Sequence, residues 1–140
     1  MKKVILIVLA AAIALLFLTA CEEQSETDMI TIPDELPAEV QAWIEAGLED
    51  FGARILEYDG LLYLLVTYGE KPTGGYDVEI TDISEKENKL VVTAHFTEPG
   101  KDDIVTEALT YPYDLAMLED PGLPVRFEAT GAETEVPAIQ

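Results

Sequence analysis

Phe51-Gly52-Ala53-Arg54-Ile55-Leu56-Glu57-Tyr58-Asp59-Gly60-Leu61-Leu62-Tyr63-Leu64-Leu65-Val66-Thr67-Tyr68 places an octapeptide rich in apolar residues on each side of Asp59-Gly60. Asp-Gly between such runs signals a two-residue type I′ turn, in which both central residues take positive φ, so the flanks read as paired antiparallel strands. Leu61 to Val66 is apolar throughout. That pattern belongs to a central strand covered on both faces, and the rest of the chain must supply a layer for each face.

Downstream, residues 76–83 alternate, with Tyr76, Val78 and Ile80 on one side and Asp77, Glu79 and Thr81 on the other, which predicts a half-exposed strand. A polar loop at 84–89 leads into a strand at 90–97, where Leu90, Val92, Ala94 and Phe96 face one way and Val91, Thr93, His95 and Thr97 the other. Glu98-Pro99-Gly100-Lys101-Asp102-Asp103 reads as a turn, residues 104–111 and 125–129 as two further strands, and residues 131–140 as a flexible tail. Upstream, Leu36, Val40, Trp43, Ile44 and Leu48 recur at spacings of three and four, one apolar helical stripe. Asp34 is placed to cap that helix, Pro37 lies in its first turn, and Gly47 can end it. The expected fold is therefore mainly β. It is an antiparallel β-sandwich over residues 34–130, with an Ig-like arrangement or a small barrel as alternatives, preceded by one short α-helix into whose packed face Trp43 falls.

The first twenty residues are of another kind. Met1-Lys2-Lys3 and the apolar run from Val4 to Leu18 have the layout of a secretory signal peptide, too short for the roughly 20 apolar residues of a transmembrane helix. Leu18-Thr19-Ala20-Cys21 then resembles the lipobox of bacterial lipoproteins, which implies cleavage before Cys21 and lipidation of that cysteine. The expected location is the cell membrane, lipid-anchored and facing outside the cytoplasm. Acyl chains contribute about 0.8 kcal/mol per buried CH₂, and stable anchoring takes more than one chain. Residues 21–33 are acidic and polar and read as a tether.

Charge narrows the function classes. The 140 residues hold 8 Lys+Arg against 28 Asp+Glu, a net charge of −20. Such a surface repels phosphate backbones and anionic headgroups, so nucleic-acid binding is excluded and a membrane is met through lipid alone. Losing Lys2 and Lys3 with the leader takes the 8 basic residues to 6 against 28 acidic ones, or −22 on 120 residues. A high-salt habitat would give the same balance. One Cys and one His cannot form an internal disulfide or a Cys/His zinc site. No Gly-x-Ser-x-Gly elbow, His-Glu-x-x-His pair or glycine-rich phosphate loop is present, and His95 alone between two threonines gives no dyad. Asp102-Asp103 lacks the ligand spacing of a calcium loop. We expect no catalytic residues, no metal and no cofactor: a non-catalytic protein that binds another protein.

Lys71-Pro72-Thr73-Gly74-Gly75-Tyr76 is the most distinctive stretch. Two glycines permit a tight turn or the close approach of another backbone, Pro72 stiffens the chain before them, and Tyr76 sets an amphipathic ring at the start of a strand. Tyr111-Pro112-Tyr113 is a second aromatic corner. Each reads either as a turn the fold requires or as a preset recognition element with Tyr anchors. Together, from about residue 61 to 127, they resemble the C-terminal domain of the PrcB family, protease complex subunits found as bacterial lipoproteins. That resemblance implies an accessory subunit that binds or stabilises a secreted or surface protease. It makes Pro72, Thr73, Gly74, Gly75, Tyr76, Tyr111, Pro112 and Tyr113 the candidate partner-binding residues. The same loop partly resembles the motif of chagasin-type cysteine-protease inhibitors, which implies the alternative of a protease inhibitor acting through residues 72–76.

Overall fold

Asp59 and Gly60 both take positive φ, 51° and 77°, and the hairpin closes between β1 (Phe51–Tyr58) and β2 (Leu61–Tyr68). The computed structural model describes residues 27–139. The other strands are β3 (Asp77–Lys86), β4 (Lys89–Thr97), β5 (Tyr113–Glu119) and β6 (Val125–Gly131), and the helix α1 is Ala38–Glu45. They form two three-stranded sheets, ordered β1-β2-β5 and β3-β4-β6, with no closed barrel. All pairs are antiparallel except β4 with β6, which run parallel because β5 returns the chain through the other sheet before β6 enters.

The period of two along β2 distributes its side chains between two cores. Leu62, Leu64, Val66 and Tyr68 face inward between the sheets, against Val78, Ile80, Leu90, Val92, Ala94 and Phe96. Tyr63 and Leu65 face the opposite way and meet Val40 and Ile44 of α1, with Leu115 and Met117 of β5 beside them. The helix thus adds a third layer on the outer face of the first sheet. Burying each such aliphatic side chain stabilises by roughly 1.5–3 kcal/mol, so this one strand ties all three layers together. Trp43 packs partly against the outer core, and its ring lies 5.5 Å from the Arg54 guanidinium.

Several boundaries differ from the expectations. Helix α1 starts only at Ala38, with Pro37 at the N-cap position (φ −52°, ψ 141°) and no side-chain cap from Asp34, because a proline disfavours helical geometry in the residue before it. Residues 84–86 are strand instead of loop: Glu87 and Asn88 take positive φ, 50° and 62°, and close a second two-residue hairpin without a glycine. The strand expected at 104–111 does not form. The strand that does form in this region is β5, which pairs with β2 and whose Leu115, Ala116, Met117 and Leu118 are all buried.

Both chain ends described are docked. Thr27 N donates to Ile83 O of β3 (3.3 Å) and Ile30 N to Met117 O of β5 (2.7 Å), so the end of the expected tether lies along the seam between these edge strands. The tail is likewise held, contrary to the flexible reading: Ala53 N donates to Pro137 O (2.8 Å) and Ile139 N to Ala53 O (2.8 Å). Gly52, at φ +153°, makes room for it, since a Cβ there would collide with the Pro137 carbonyl and the Ile139 side chain. The expected signal peptide, Cys21 and the start of the tether lie outside the described residues. Among the described residues no helix is long and apolar enough to cross a membrane.

Candidate functional site

The loop 69–76 leaves β2 beside the aromatic core and is braced by the long connection 98–112. Lys71 N donates to Thr110 O (2.9 Å) and Thr110 N to Lys71 O (3.0 Å), a two-bond antiparallel bridge. Gly74 N donates to Thr106 O (2.9 Å), and Thr110 Oγ1 to Thr73 O (2.8 Å). Tyr68 N donates to Pro112 O (2.8 Å) and Tyr111 OH to the Glu70 carboxylate (2.9 Å). The two motifs singled out in the sequence, some 35 residues apart, are therefore joined into one assembly.

An aromatic stack anchors it. The Tyr68 ring lies 4.9 Å from Phe96 and 5.9 Å from Tyr76, both edge-on, and 6.0 Å from Phe51. Lys71 Nζ caps this stack, 3.7 Å from the Tyr68 centroid and 5.2 Å from Tyr76. A cation over a ring face contributes about 0.5–2 kcal/mol according to its exposure. The base of the loop is thus an extension of the core.

Within the assembly the candidate residues divide. Tyr76 is half-buried on Tyr68, and Thr73 is half-buried with its hydroxyl donating to Gly74 O (3.0 Å). Gly75 takes φ +87°, and a Cβ there would lie 2.8 Å from Pro99 Cβ and Val105 Cγ1, whereas Gly74 has no positive φ. Tyr111 and Pro112 are half-buried, and Pro72 and Tyr113 are exposed. Most of the motif therefore holds the loop in shape. The side chains it leads to solvent include two that the sequence reading did not single out: Ile104 is fully exposed (102 %) and Leu109 is 60 % exposed, with Tyr113 at 46 %. The available signal was a pair of large apolar residues among Asp102, Asp103 and Glu107 without strand alternation.

Other candidate chemistry resolves into local structure. Asp103 accepts from Gly100 N (2.7 Å) and closes its own turn. His95 is exposed on the outer face of the second sheet, 3.0 Å from Thr130 Oγ1. Among the described residues no group of three or more His, Cys, Asp or Glu is arranged to hold a metal ion.

Burial, with Glu98 close by, pushes the Tyr68 phenol above its ordinary 10.0, and the hydrogen bond to Glu70 pushes Tyr111 upward. A raised folded-state pKa means that the native state favours the protonated phenol. Its contribution is complete below pH 10 and is lost as pH climbs through the alkaline range. The urea midpoint should fall from about pH 10 upward, and Tyr68→Phe should flatten that decline. An alkaline slope unchanged in Tyr68→Phe would contradict the assignment.

Residues 62–119 match the family model described as PrcB C-terminal. The matched segment runs from β2 to β5, so it contains both loops of the assembly and stops short of the expected residue 127. No curated protein and no solved structure matches the chain.

Proposed function

We propose that this chain, with a PrcB C-terminal domain at residues 62–119, is a non-catalytic accessory subunit that binds and stabilises a secreted or surface protease while lipid on Cys21 holds it at the outer side of the membrane. The observation that carries the reading is the loop assembly. Ile104, Leu109 and Tyr113 stand in solvent on a segment cross-paired to its neighbour at Lys71, Gly74 and Thr110. Loops fixed before binding lose less conformational entropy on association, and apolar anchors supply the contact energy. The motif serves this role through backbone shape, with Thr73 and Tyr76 turned to internal contacts.

The test follows from that division. The combined variant Ile104→Ser, Leu109→Ser, Tyr113→Ser, all exposed and outside both cores, should co-isolate at least tenfold less protease from envelope preparations at an unchanged urea midpoint. Full co-isolation would refute the docking face. Inhibition of the bound protease would instead favour the chagasin-like alternative. Lipidation is checked separately by mass spectrometry of the mature N-terminus, where an unmodified Cys21 would remove the anchor from this reading.

A further inference from the structure

At the ends of the two sheets away from the β3/β5 seam, β1 and β6 are the edge strands. Among the described residues the tail bonds to β1 at Ala53 alone, and no segment pairs with the outer edge of β6. Leu90 N donates to Pro124 O (2.9 Å) and Ala132 N to Phe96 O (2.9 Å), with Leu90 opposite Val125 in register. These bonds set the phase of the parallel ladder: even-numbered residues of β6 direct N–H and C=O toward β4, and Val125, Phe127 and Ala129 direct theirs outward. Among the described residues nothing hydrogen-bonds to the outward N–H of Phe127 or Ala129.

This open edge borders a groove of about 800 Å³ between β6 and the tail. Its apolar lining comes from Phe51, Phe127 and Val136, and Glu128, Glu133 and Glu135 add carboxylates. The one basic residue lining it, Arg126, is already paired with Glu128 at 3.4 Å. Unmet backbone N–H groups beside a mainly polar groove with apolar spots at Phe51, Phe127 and Val136 select an extended strand, which pairs along the edge and sets alternate side chains against those spots. The excess of carboxylates selects cationic residues. A second copy of this chain would bring another net charge of −20 to the contact.

We propose that the β6 edge and its groove are a strand-addition site for an extended peptide segment alternating apolar and Lys or Arg residues. The site shares Phe51 with the aromatic stack beneath the loop assembly but none of the exposed residues Ile104, Leu109 and Tyr113. The probe is a fluorescein-labelled nonapeptide alternating Val and Lys, titrated with the full chain and followed by fluorescence anisotropy. Saturable binding is expected, at least tenfold weaker for the Glu/Val counterpart and for the chain carrying Glu133→Lys with Glu135→Lys. N-methylation at one set of alternate peptide residues should cost at least tenfold, and at the other set clearly less, because only one set of N–H groups faces β6. Absence of binding at millimolar chain would overturn the proposal, as would equal affinity for the Glu/Val peptide or for both N-methylated forms. Saturable self-association without peptide, lost on Glu133→Lys with Glu135→Lys, would assign the edge to a second copy and also overturn it. The Ile104→Ser, Leu109→Ser, Tyr113→Ser chain should keep full peptide affinity, so failure here and failure of the protease-binding reading are distinguishable.

Discussion

Phe96→Ala is expected to lower the unfolding free energy by about 3–5 kcal/mol, the range for deleting a buried aromatic side chain. Phe96 is 1 % exposed and meets Phe51 at 5.6 Å and Tyr68 at 4.9 Å, so its ring joins β4 to both strands of the first hairpin. Its loss removes transfer energy and leaves a cavity bounded by two rings, one of which, Tyr68, is braced by Tyr76 and Lys71 of the loop. For a domain of this size, with about 5–15 kcal/mol in total, that is a large share. Urea unfolding should show a lower midpoint with little change in slope, and Phe96→Leu should recover about half of the loss. A decrease below about 1 kcal/mol would mean that the aromatic stack is not a keystone of the inter-sheet core.

The first hairpin was legible because local and tertiary demands agree there. Asp59-Gly60 supplies the positive φ values, and the unbroken apolar run from Leu61 is what a strand between the inter-sheet core and α1 requires. Strand β4 was legible for a related reason: its alternating face from Leu90 to Phe96 is the floor of the inter-sheet core. β5 was not. Its Leu115-Ala116-Met117-Leu118 run is short and shows no alternation, since one side feeds the inter-sheet core and the other the helix side. Ile104, Val105 and Leu109 offered a competing pattern, yet among the described residues their segment pairs only through the isolated Thr110 bridge to Lys71. Only contacts distant in sequence decide between the two segments, above all the pairing of β5 with β2.

Asp114 shows how such a contact works. Its carboxylate accepts from Ile80 N of β3 (2.7 Å) and from Leu115 N (2.9 Å), so one side chain joins the edge strands of both sheets. A charge-assisted bond of this kind contributes about 1.5–3 kcal/mol. In the sequence Asp114 is one acid among 28. The docked tail and the parallel β6 are hidden in the same way, because each is fixed by edge bonds to a partner far along the chain. For the candidate site, the loop and both aromatic corners stand out in the sequence, and the structure joins them into one assembly. Which side chains point outward depends on the brace from Thr106 and Thr110, and that brace comes from a segment that reads as a strand.

Gly75→Val should be the most damaging single change within the loop assembly, and Gly74→Ala beside it should be nearly silent. At Gly75 the backbone sits at φ +87°, where an L-residue costs about 1–2 kcal/mol. The new Cβ would also press on Pro99 and Val105 at 2.8 Å. At Gly74 the nearest atom to an added Cβ is Thr106 N at 3.5 Å, an ordinary contact. The strain at Gly75 can be relieved only by separating residues 69–76 from residues 98–112. The amides of Lys71, Gly74 and Thr110 should then lose hydrogen-exchange protection while those of β2 and β4 keep theirs. Global stability should fall by about 1–3 kcal/mol. Protease co-isolation should drop with the loop, although Ile104, Leu109 and Tyr113 are untouched, because anchors on a disordered segment must first be ordered. Unchanged protection in Gly75→Val would show that the loops are not held together by this contact. Lost protection with full co-isolation would show that binding does not depend on their shape.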